Sequence, residues 1–334
     1  MAYRVALIGC GKIGSGFADD PLMKGNVYTH ADAYTRCPDT ELVAVCDSDP
    51  SRLARCGERW SIAARYTSAV ALIETEMPDI VSVCTPDATH YEVVRTLLTS
   101  QHHVKAVLCE KPLATSPEQA QELIRLADER GVVLAVDYTR RYANNLRALQ
   151  MFLAAGNLGT IQAVGGWYTK GTLHNGSHWF DLLRFLVGEV DWVMGMNALC
   201  EPGSDPTLDV ILGLRNGALA TLRACDARRF TVFEMDIVGT LGRVQLLEFC
   251  YRIDLAYSAP SSRYSGYFEL LPVFHDFGDR SDPLLHAVED LVAALQNGCL
   301  PACSGKDGLA AVQIGWAAHE SAKTGRRVYL SGGH

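Results

Sequence analysis

The feature that most constrains the fold of this chain is a glycine-rich turn directly after its first apolar run. Residues 3 to 8 are largely aliphatic, and the turn Gly9-Cys10-Gly11-Lys12-Ile13-Gly14 follows them at once. In a G-x-G-x-x-G motif the three glycines permit a tight turn, close approach of a pyrophosphate and close packing of the next helix. Because a helix N-terminus attracts phosphate, this strand, turn and helix order predicts a dinucleotide-binding site that includes Lys12 and Ile13.

Apolar strands continue to alternate with helix-like segments up to about residue 138. Further strands are predicted at 41–46, 80–84, 104–109 and 132–136, with helices at 92–99 and 117–130. Strands that are apolar throughout and separated by helices indicate a parallel sheet covered on both faces. We therefore predict an α/β protein whose residues 1–138 form a doubly wound Rossmann domain.

Beyond residue 140 the pattern changes to strand-like alternation with turn signals, which predicts antiparallel strands in a second domain, residues 139–334. The predicted strands lie at 161–168, 209–214, 218–224 and 230–238, and the predicted helices at 178–186, 284–296 and 308–324. A chain of 334 residues exceeds the size at which a single core usually keeps growing, which also favours two domains.

Composition excludes several classes of function. The formal net charge of −8 argues against nucleic-acid binding, which depends on clustered Lys and Arg. There is no apolar run of membrane-spanning length, and the short start predicts no signal segment, so we expect a cytoplasmic protein without a membrane partner. The 11 cysteines are scattered and form no Cys-x-x-Cys pair, which predicts reduced thiols and no structural zinc site.

The residue that ends the second predicted strand, Asp47, bears on the choice of cofactor. Its carboxylate should accept hydrogen bonds from the adenosine ribose and repel a 2′-phosphate, which favours NAD. Lys12 leaves NADP possible, because a cation in the glycine turn can lean toward a 2′-phosphate; a solvated Lys12 is the alternative.

The spacing between turn and acid is unusually long. Asp47 lies 33 positions after Gly14, against about 20 in the simple fingerprint, so a segment is inserted. The segment Ser15 to Tyr28 is predicted to be a loop. It either folds over the cofactor or substrate or is a surface loop without contact to them.

The run Cys109-Glu110-Lys111-Pro112-Leu113 resembles the Glu-Lys-Pro signature of the glucose-fructose oxidoreductase / inositol dehydrogenase (Gfo/Idh/MocA) family. Thr85-Pro86-Asp87-Ala88-Thr89-His90 and Asp137-Tyr138-Thr139-Arg140-Arg141-Tyr142 resemble further family segments in the same order. The resemblance covers nearly the whole chain and weakens between about residues 190 and 280. It implies that Thr85, Pro86, His90, Glu110 and Lys111 belong to the cofactor site.

The same resemblance implies a second domain with a large, open, mainly antiparallel sheet, which binds substrate and joins subunits into a homo-oligomer, a dimer or tetramer. It also implies oxidation or reduction of a secondary alcohol on a sugar, cyclitol or nucleotide sugar with NAD or NADP. A glycosidase or lyase that retains and recycles NAD is an alternative. A non-catalytic sensor of NAD(P) is another.

The segment from Gly171 to Asp181 resembles the family's catalytic segment, in which His178 aligns with the catalytic histidine. Histidine suits acid/base work because its unperturbed pKa lies near neutrality, and Lys111 would stabilise developing alkoxide charge. The family's usual Asp or Asn four residues earlier is His174 here, followed by Asn175, so His174 is expected to relay a proton or contact substrate. The alternatives are that His178 merely begins a helix and that Lys111 is an exposed strand-end lysine.

Two further expectations concern ligands. His174 and His178 lie four apart but have no evident third ligand, so we predict no metal site. Arg141 and Tyr142 follow the last Rossmann strand and, with Asn175, are expected to contact substrate, because arginine grips phosphate or carboxylate through paired hydrogen bonds. Pairing of Arg141 with a protein carboxylate is the alternative.

Overall fold

The computed structural model describes residues 2–23 and 25–330, so residues 331–334 of the expected second domain and Lys24 of the expected insertion lie outside the described residues. The chain forms two compact units. One contains Met1–Ala143 and Ser281–Val312, and the other contains Asn144–Arg280 and Gln313–His334. The sequence-based boundary at residue 138 places the helix near 284–296 in the second domain. In the structure it belongs to the first unit, because its apolar residues, including Leu284 and Leu291, are part of that unit's core.

The first unit is built on a six-stranded, fully parallel sheet in the order β3-β2-β1-β4-β5-β6, which confirms the predicted Rossmann-type fold. Its strands are β1 (Tyr3–Ile8), β2 (Thr40–Cys46), β3 (Ala64–Tyr66), β4 (Ile80–Val83), β5 (Ala106–Glu110) and β6 (Val133–Asp137). Its helices are α1 (His30–Arg36), α2 (Pro50–Arg59), α3 (Ala69–Glu76), α4 (His90–Thr99) and α5 (Pro117–Arg130), and α8 (Pro283–Asn297) joins them from late in the chain.

The helix predicted directly after the glycine turn is interrupted, which corrects the simple strand, turn and helix reading. A short 3-10 helix, Gly16–Asp19, follows the turn, and α1 begins only at His30. The His30 N–H donates to the Ile13 carbonyl at 3.1 Å, and the Ala31 N–H donates to the Gly14 carbonyl at 3.0 Å. These donors lie 17 positions after their acceptors instead of the four of a regular helix, so 13 residues are inserted within one helical path.

Removing those 13 residues from the 33 that separate Gly14 and Asp47 leaves 20, the spacing of the simple fingerprint. The insertion is held against the first unit: the Trp60 indole N–H donates to Ser15 Oγ at 2.9 Å, and the Val27 N–H donates to Asp282 Oδ1 at 2.6 Å. It is thus an ordered excursion packed on the Rossmann unit, anchored by the end of α2 and the start of α8.

The second unit is built on a nine-stranded sheet in the order β14-β13-β12-β11-β7-β10-β9-β8-β15, which confirms the predicted large, mainly antiparallel sheet. Among the described residues, β7 and β10 are its one parallel pair of neighbouring strands. The strands are β7 (Ile161–Tyr168), β8 (Val190–Met196), β9 (Asp209–Leu214), β10 (Leu219–Ala224), β11 (Phe233–Gly239), β12 (Gly242–Leu247), β13 (Arg252–Pro260), β14 (Phe268–Val273) and β15 (Val328–Tyr329).

Two helices of the second unit are α6 (Asn144–Ala154) and α7 (Gly176–Leu186), while α9 (Gly305–Thr324) begins in the first unit and ends in the second. All 11 cysteines are free thiols, as predicted. No helix among the described residues combines the length and the apolar character needed to span a membrane.

Candidate active site

The glycine turn has a shape that only glycine allows at two of its three positions. Gly9 has a φ of 102°, and a Cβ there would lie 2.5 Å from the carbonyl of Cys84. A Cβ on Gly14 would lie 2.0 Å from the Gly9 carbonyl oxygen. A Cβ on Gly11, by contrast, would meet no protein atom within 4 Å. The turn is therefore packed on one side and open at Gly11, where a pyrophosphate could approach the backbone.

The N–H groups of this turn also suit an anion. The Ser15 N–H donates to the Gly11 carbonyl at 3.0 Å, whereas the N–H groups of Lys12, Ile13 and Gly14 donate to no group in the part of the chain that the structure describes. Unsatisfied N–H groups at the start of a helical turn attract phosphate. The Lys12 side chain is exposed, as in the alternative considered for it.

Asp47 follows β2 and is almost fully buried beside the turn. Its Oδ2 accepts the Cys10 N–H at 2.7 Å, and its Oδ1 accepts the Asp49 N–H at 2.8 Å. Each carboxylate oxygen can accept a further hydrogen bond, so the pair of ribose hydroxyls expected here still has acceptors. With the open turn, this carboxylate gives the first unit the features that an adenine dinucleotide requires.

The segment after β4 supplies another part of the expected cofactor site. The Thr85 hydroxyl oxygen is buried and has no hydrogen-bond partner among the described residues, while Pro86 is exposed. His90 is fully buried, and its two ring nitrogens lie 2.7 Å from the carbonyl oxygens of Thr85 and Pro112. His90 therefore joins two loops of the site and has no exposed surface with which to contact a cofactor.

Glu110 ends β5, and Lys111 follows it. Glu110 belongs to a buried cluster with His30, Ser82 and Asp137, which the sequence did not predict. Glu110 Oε1 is 3.1 Å from His30 Nε2, and Glu110 Oε2 accepts the Lys111 N–H at 3.2 Å. Asp137, the neighbour of Glu110 at the end of β6, has Oδ2 3.4 Å from the same His30 nitrogen. Ser82 Oγ lies 2.7 Å from His30 Nδ1. Sequence patterns did not reveal His30, because the insertion separates His30 from the glycine turn to which its N–H donates.

The charges of this cluster shift each of its pKa values. Burial alone lowers the pKa of His30, while Cys84, Asp137 and Glu110 raise it above its usual value. Of these three groups only the two carboxylates carry charge at neutral pH, because burial raises the pKa of the Cys84 thiol. Burial raises the pKa of Asp137 to about 6. Although burial opposes it, the His30 contact lowers the pKa of Glu110. The imidazolium thus pairs chiefly with Glu110, its nearer carboxylate.

The side chains of His30, Glu110 and Asp137 are of types that bind metal ions, and their ligand atoms lie within 4.8 Å of one another. His30 Nε2 hydrogen-bonds to Glu110 alone, and both Asp137 oxygens are buried without a hydrogen-bond partner among the described residues. The absence of a metal ion from the working protein stays a prediction.

The arginine and tyrosine expected to contact substrate are both buried. Arg141 Nη2 lies 3.1 Å from Asp307 Oδ1, and Arg141 Nη1 donates to the Ala302 carbonyl at 3.2 Å. The Tyr142 side chain is fully buried. This arrangement is the alternative reading, in which Arg141 pairs with a protein carboxylate. The substrate contacts expected of Arg141 and Tyr142 stay predictions, and both side chains are buried in this structure.

In the second unit, the expected histidines lie at the start of α7. His174 and Asn175 belong to a π-helical turn, Gly171–Asn175, and His178 lies in the first turn of α7. His174 is exposed, His178 is half-buried, and the Asn175 amide donates to the Thr169 carbonyl at 2.7 Å. Local π-helical turns within helices are frequent at functional sites.

A carboxylate that sequence reasoning missed, Asp205, anchors this turn. Its Oδ1 accepts the Leu173 N–H at 2.8 Å and lies 3.0 Å from His319 Nε2, and its Oδ2 accepts the His174 N–H at 2.9 Å. Burial alone raises the pKa of Asp205, but His319 and the two N–H groups outweigh it and lower that pKa. A carboxylate 31 positions away in sequence thus holds the backbone of Leu173 and His174.

Comparison with known proteins agrees with this geometry. The model of the oxidoreductase family with an NAD-binding Rossmann fold (GFO_IDH_MocA) matches residues 3–138, and the GFO/IDH/MocA C-terminal domain matches residues 169–245. The first match confirms the NAD-binding domain predicted from the glycine turn.

Two curated relatives are dehydrogenases. The chain is 34% identical to D-glucoside 3-dehydrogenase of Escherichia coli (strain K12) over 59% of this chain and 55% of that protein, so this match spans about half of the relative. It is 25% identical to myo-inositol 2-dehydrogenase of Thermotoga maritima over 98% of both proteins. The solved structure of the WlbA dehydrogenase from Bordetella pertussis shares the fold, with a TM-score of 0.80 and 22% identity over 99% of each chain.

Proposed function

The chain belongs to the Gfo/Idh/MocA family of NAD-binding oxidoreductases, and from that premise we propose that it interconverts a secondary alcohol and a ketone on a sugar, a cyclitol or a nucleotide sugar. The relatives named above support a polyhydroxylated ring as substrate, since one is named for a glucoside and the other for myo-inositol. We also expect the protein to act in the cytoplasm.

The observation that carries the proposal is the pairing of the open glycine turn with Asp47. The turn leaves free space beside Gly11 and N–H groups for a pyrophosphate, and Asp47 offers acceptors for the ribose hydroxyls. NAD, when bound, supplies the acceptor for the hydride that leaves the substrate carbon. The negative charge of Asp47 disfavours a 2′-phosphate, so we expect NAD to be used better than NADP.

We assign the proton chemistry to His178. As the alcohol carbon loses hydride, its hydroxyl proton passes to the imidazole, and in reduction the same imidazole returns the proton to the forming alcohol. The Lys111 ammonium stabilises negative charge that develops on the substrate oxygen. His174 is exposed beside His178 in sequence, and we assign it to substrate contact or proton relay. We also assign Asn175 to substrate contact. Its side-chain amide donates to the Thr169 carbonyl, which holds the side chain against the backbone.

We further propose that the working form is a homo-oligomer joined through the nine-stranded sheet. Its edge strand β14 exposes 71% of Phe268 on one face and 45% of Leu271 and 42% of Val273 on the other, apolar surface that a second copy would bury. Light scattering on the wild type and on Leu271→Asp tests this expectation. A monomeric wild type would contradict it.

The test of the proposed function is to incubate the purified protein with NAD⁺ and a panel of glucosides, cyclitols and nucleotide sugars while following nicotinamide absorbance and ketone formation. We expect NADH and ketone to form in equal amounts with at least one compound. Product formation with bound NAD but without net NADH would instead indicate a glycosidase or lyase that recycles its cofactor. Binding without any product would indicate a sensor.

A further inference from the structure

We propose that His30 is a positioning residue that holds Lys111 in place and joins it to the phosphate turn. This inference rests on the proposed role of Lys111 and adds a residue to which no role has been assigned. His30 is fully buried, at the first position of α1. All of its contacts described here lie within the first unit.

The imidazole of His30 connects the ends of three adjacent parallel strands. Its Nδ1 contacts Ser82 on β4 at 2.7 Å, while its Nε2 contacts Glu110 at the end of β5 at 3.1 Å and Asp137 at the end of β6 at 3.4 Å. These strands are neighbours in the order β4-β5-β6. One imidazole ring therefore contacts all three near their carboxyl ends, where Lys111 directly follows β5. A single buried cation here faces two carboxylates.

The Glu110 carboxylate links His30 to the backbone of Lys111. One oxygen of the Glu110 carboxylate contacts His30, and the other accepts the Lys111 N–H at 3.2 Å. The next residue, Pro112, is held by His90, which lies 2.7 Å from its carbonyl oxygen. The backbone on both sides of the Lys111 side chain is therefore fixed by buried histidines, one through a carboxylate and one directly.

The backbone of the same residue supports the phosphate turn. The His30 N–H donates to the carbonyl of Ile13, and the next N–H, that of Ala31, donates to the carbonyl of Gly14. His30 therefore contacts the turn through its main chain and the Lys111 strand through its side chain. Moving α1 would displace both, which couples dinucleotide binding to the placement of Lys111.

Charge explains why a neutral apolar residue could not replace this ring. Without the imidazolium, two buried carboxylates at the ends of neighbouring strands would face each other with no cation between them, and like charges at that distance repel strongly in a low dielectric. The Glu110 carboxylate would move or take up a proton, and its bond to the Lys111 N–H would weaken.

The experiment compares His30→Ala, His30→Gln and the control Tyr34→Phe in the full chain. Tyr34 lies on the same helix, is equally buried and lies near Ser82 and His30, but its hydroxyl has no hydrogen-bond partner among the described residues. Its replacement therefore disturbs the same neighbourhood and leaves the contacts of His30 with Glu110 and Asp137 in place. Turnover and the Kd for NAD⁺ are measured at a temperature at which circular dichroism shows each variant to be folded. The NAD⁺ titration needs no substrate, so it tests the connection even if the proposed reaction fails.

We expect His30→Ala to lower kcat by about tenfold or more and to raise the Kd for NAD⁺ by about threefold, as small displacements of a reacting group are costly. His30→Gln should recover part of both losses, because its amide can still donate to Glu110, and Tyr34→Phe should match the wild type. If His30→Ala does not fold, His30→Gln against Tyr34→Phe decides by the same criteria. A folded His30 variant with wild-type kcat and Kd would overturn the proposal. So would one equivalent of metal that is present in the wild type and lost from the variant.

Discussion

Alanine at Gly11 should abolish tight NAD binding without harming the fold. A Cβ at this position would meet no protein atom within 4 Å, and Gly11 is not among the residues with positive φ. The free energy of unfolding without cofactor should therefore stay within about 0.5 kcal/mol of the wild type. The same methyl group would occupy the space in which the pyrophosphate approaches the backbone.

The expected loss can be expressed as cofactor-dependent stabilisation. At an NAD⁺ concentration of 100 times the wild-type Kd, binding should stabilise the wild type by about 2.7 kcal/mol. If the methyl group raises Kd about a hundredfold, the same concentration stabilises Gly11→Ala by only about 0.4 kcal/mol. Calorimetric titration gives Kd, and thermal unfolding with and without NAD⁺ gives the stabilisation.

Gly14→Ala is the matched control, since its Cβ would lie 2.0 Å from the Gly9 carbonyl oxygen. That variant should lose about 1–3 kcal/mol of stability even without NAD⁺, as expected for overpacking. A Gly11→Ala protein that binds NAD⁺ as tightly as the wild type would refute the placement of the pyrophosphate. A destabilised one would refute the open space described at Gly11.

Three further variants test other parts of the account. His178→Ala should lower kcat by about 10² or more if the residue is the acid/base, with near-normal binding of NAD⁺; near-normal turnover would remove it from the mechanism. Asp47→Ala should reduce the preference for NAD over NADP in kcat/KM by about tenfold, and a wild type that already favours NADP would contradict the cofactor assignment. Asp205→Asn should lower the free energy of unfolding by about 1–3 kcal/mol at neutral pH. Because the folded-state pKa of Asp205 is depressed, its contribution is fully present above about pH 4 and is lost as pH falls through the folded pKa, so chemical unfolding should show the gap between variant and wild type closing in acid; an unchanged gap would contradict it.

The Rossmann unit could be predicted from sequence because its signals are local. The five strands predicted there are largely apolar, and α5 carries its own boundaries: Ser116 Oγ accepts the Gln119 N–H, and Gly131 ends the helix with a φ of 63°. The short strand β3, Ala64-Arg65-Tyr66, lacks that apolar character and was missed. Strands β12, β13 and β14 were missed. In β14 both faces carry exposed apolar side chains, such as Phe268 and Leu271, so the alternation that marks a half-buried strand is absent there.

The site was predictable only where a motif carried it. Gly9 to Gly14 and Asp47 follow from the dinucleotide fingerprint, but His30 lies behind the inserted segment and no local pattern marks it. Asp205 reaches the His174 backbone from 31 positions away, a contact that depends on tertiary structure. For Arg141 the sequence left two roles open, and the structure shows the pairing with a protein carboxylate, that of Asp307.

The most direct test of the central claim is to measure NADH and ketone together during turnover of a polyol by the wild type and by Lys111→Ala. The account predicts one NADH for each ketone in the wild type, and a kcat lower by about 10² in the variant at saturating NAD⁺. Product formed without net NADH, or a Lys111→Ala variant with wild-type kcat, would contradict it.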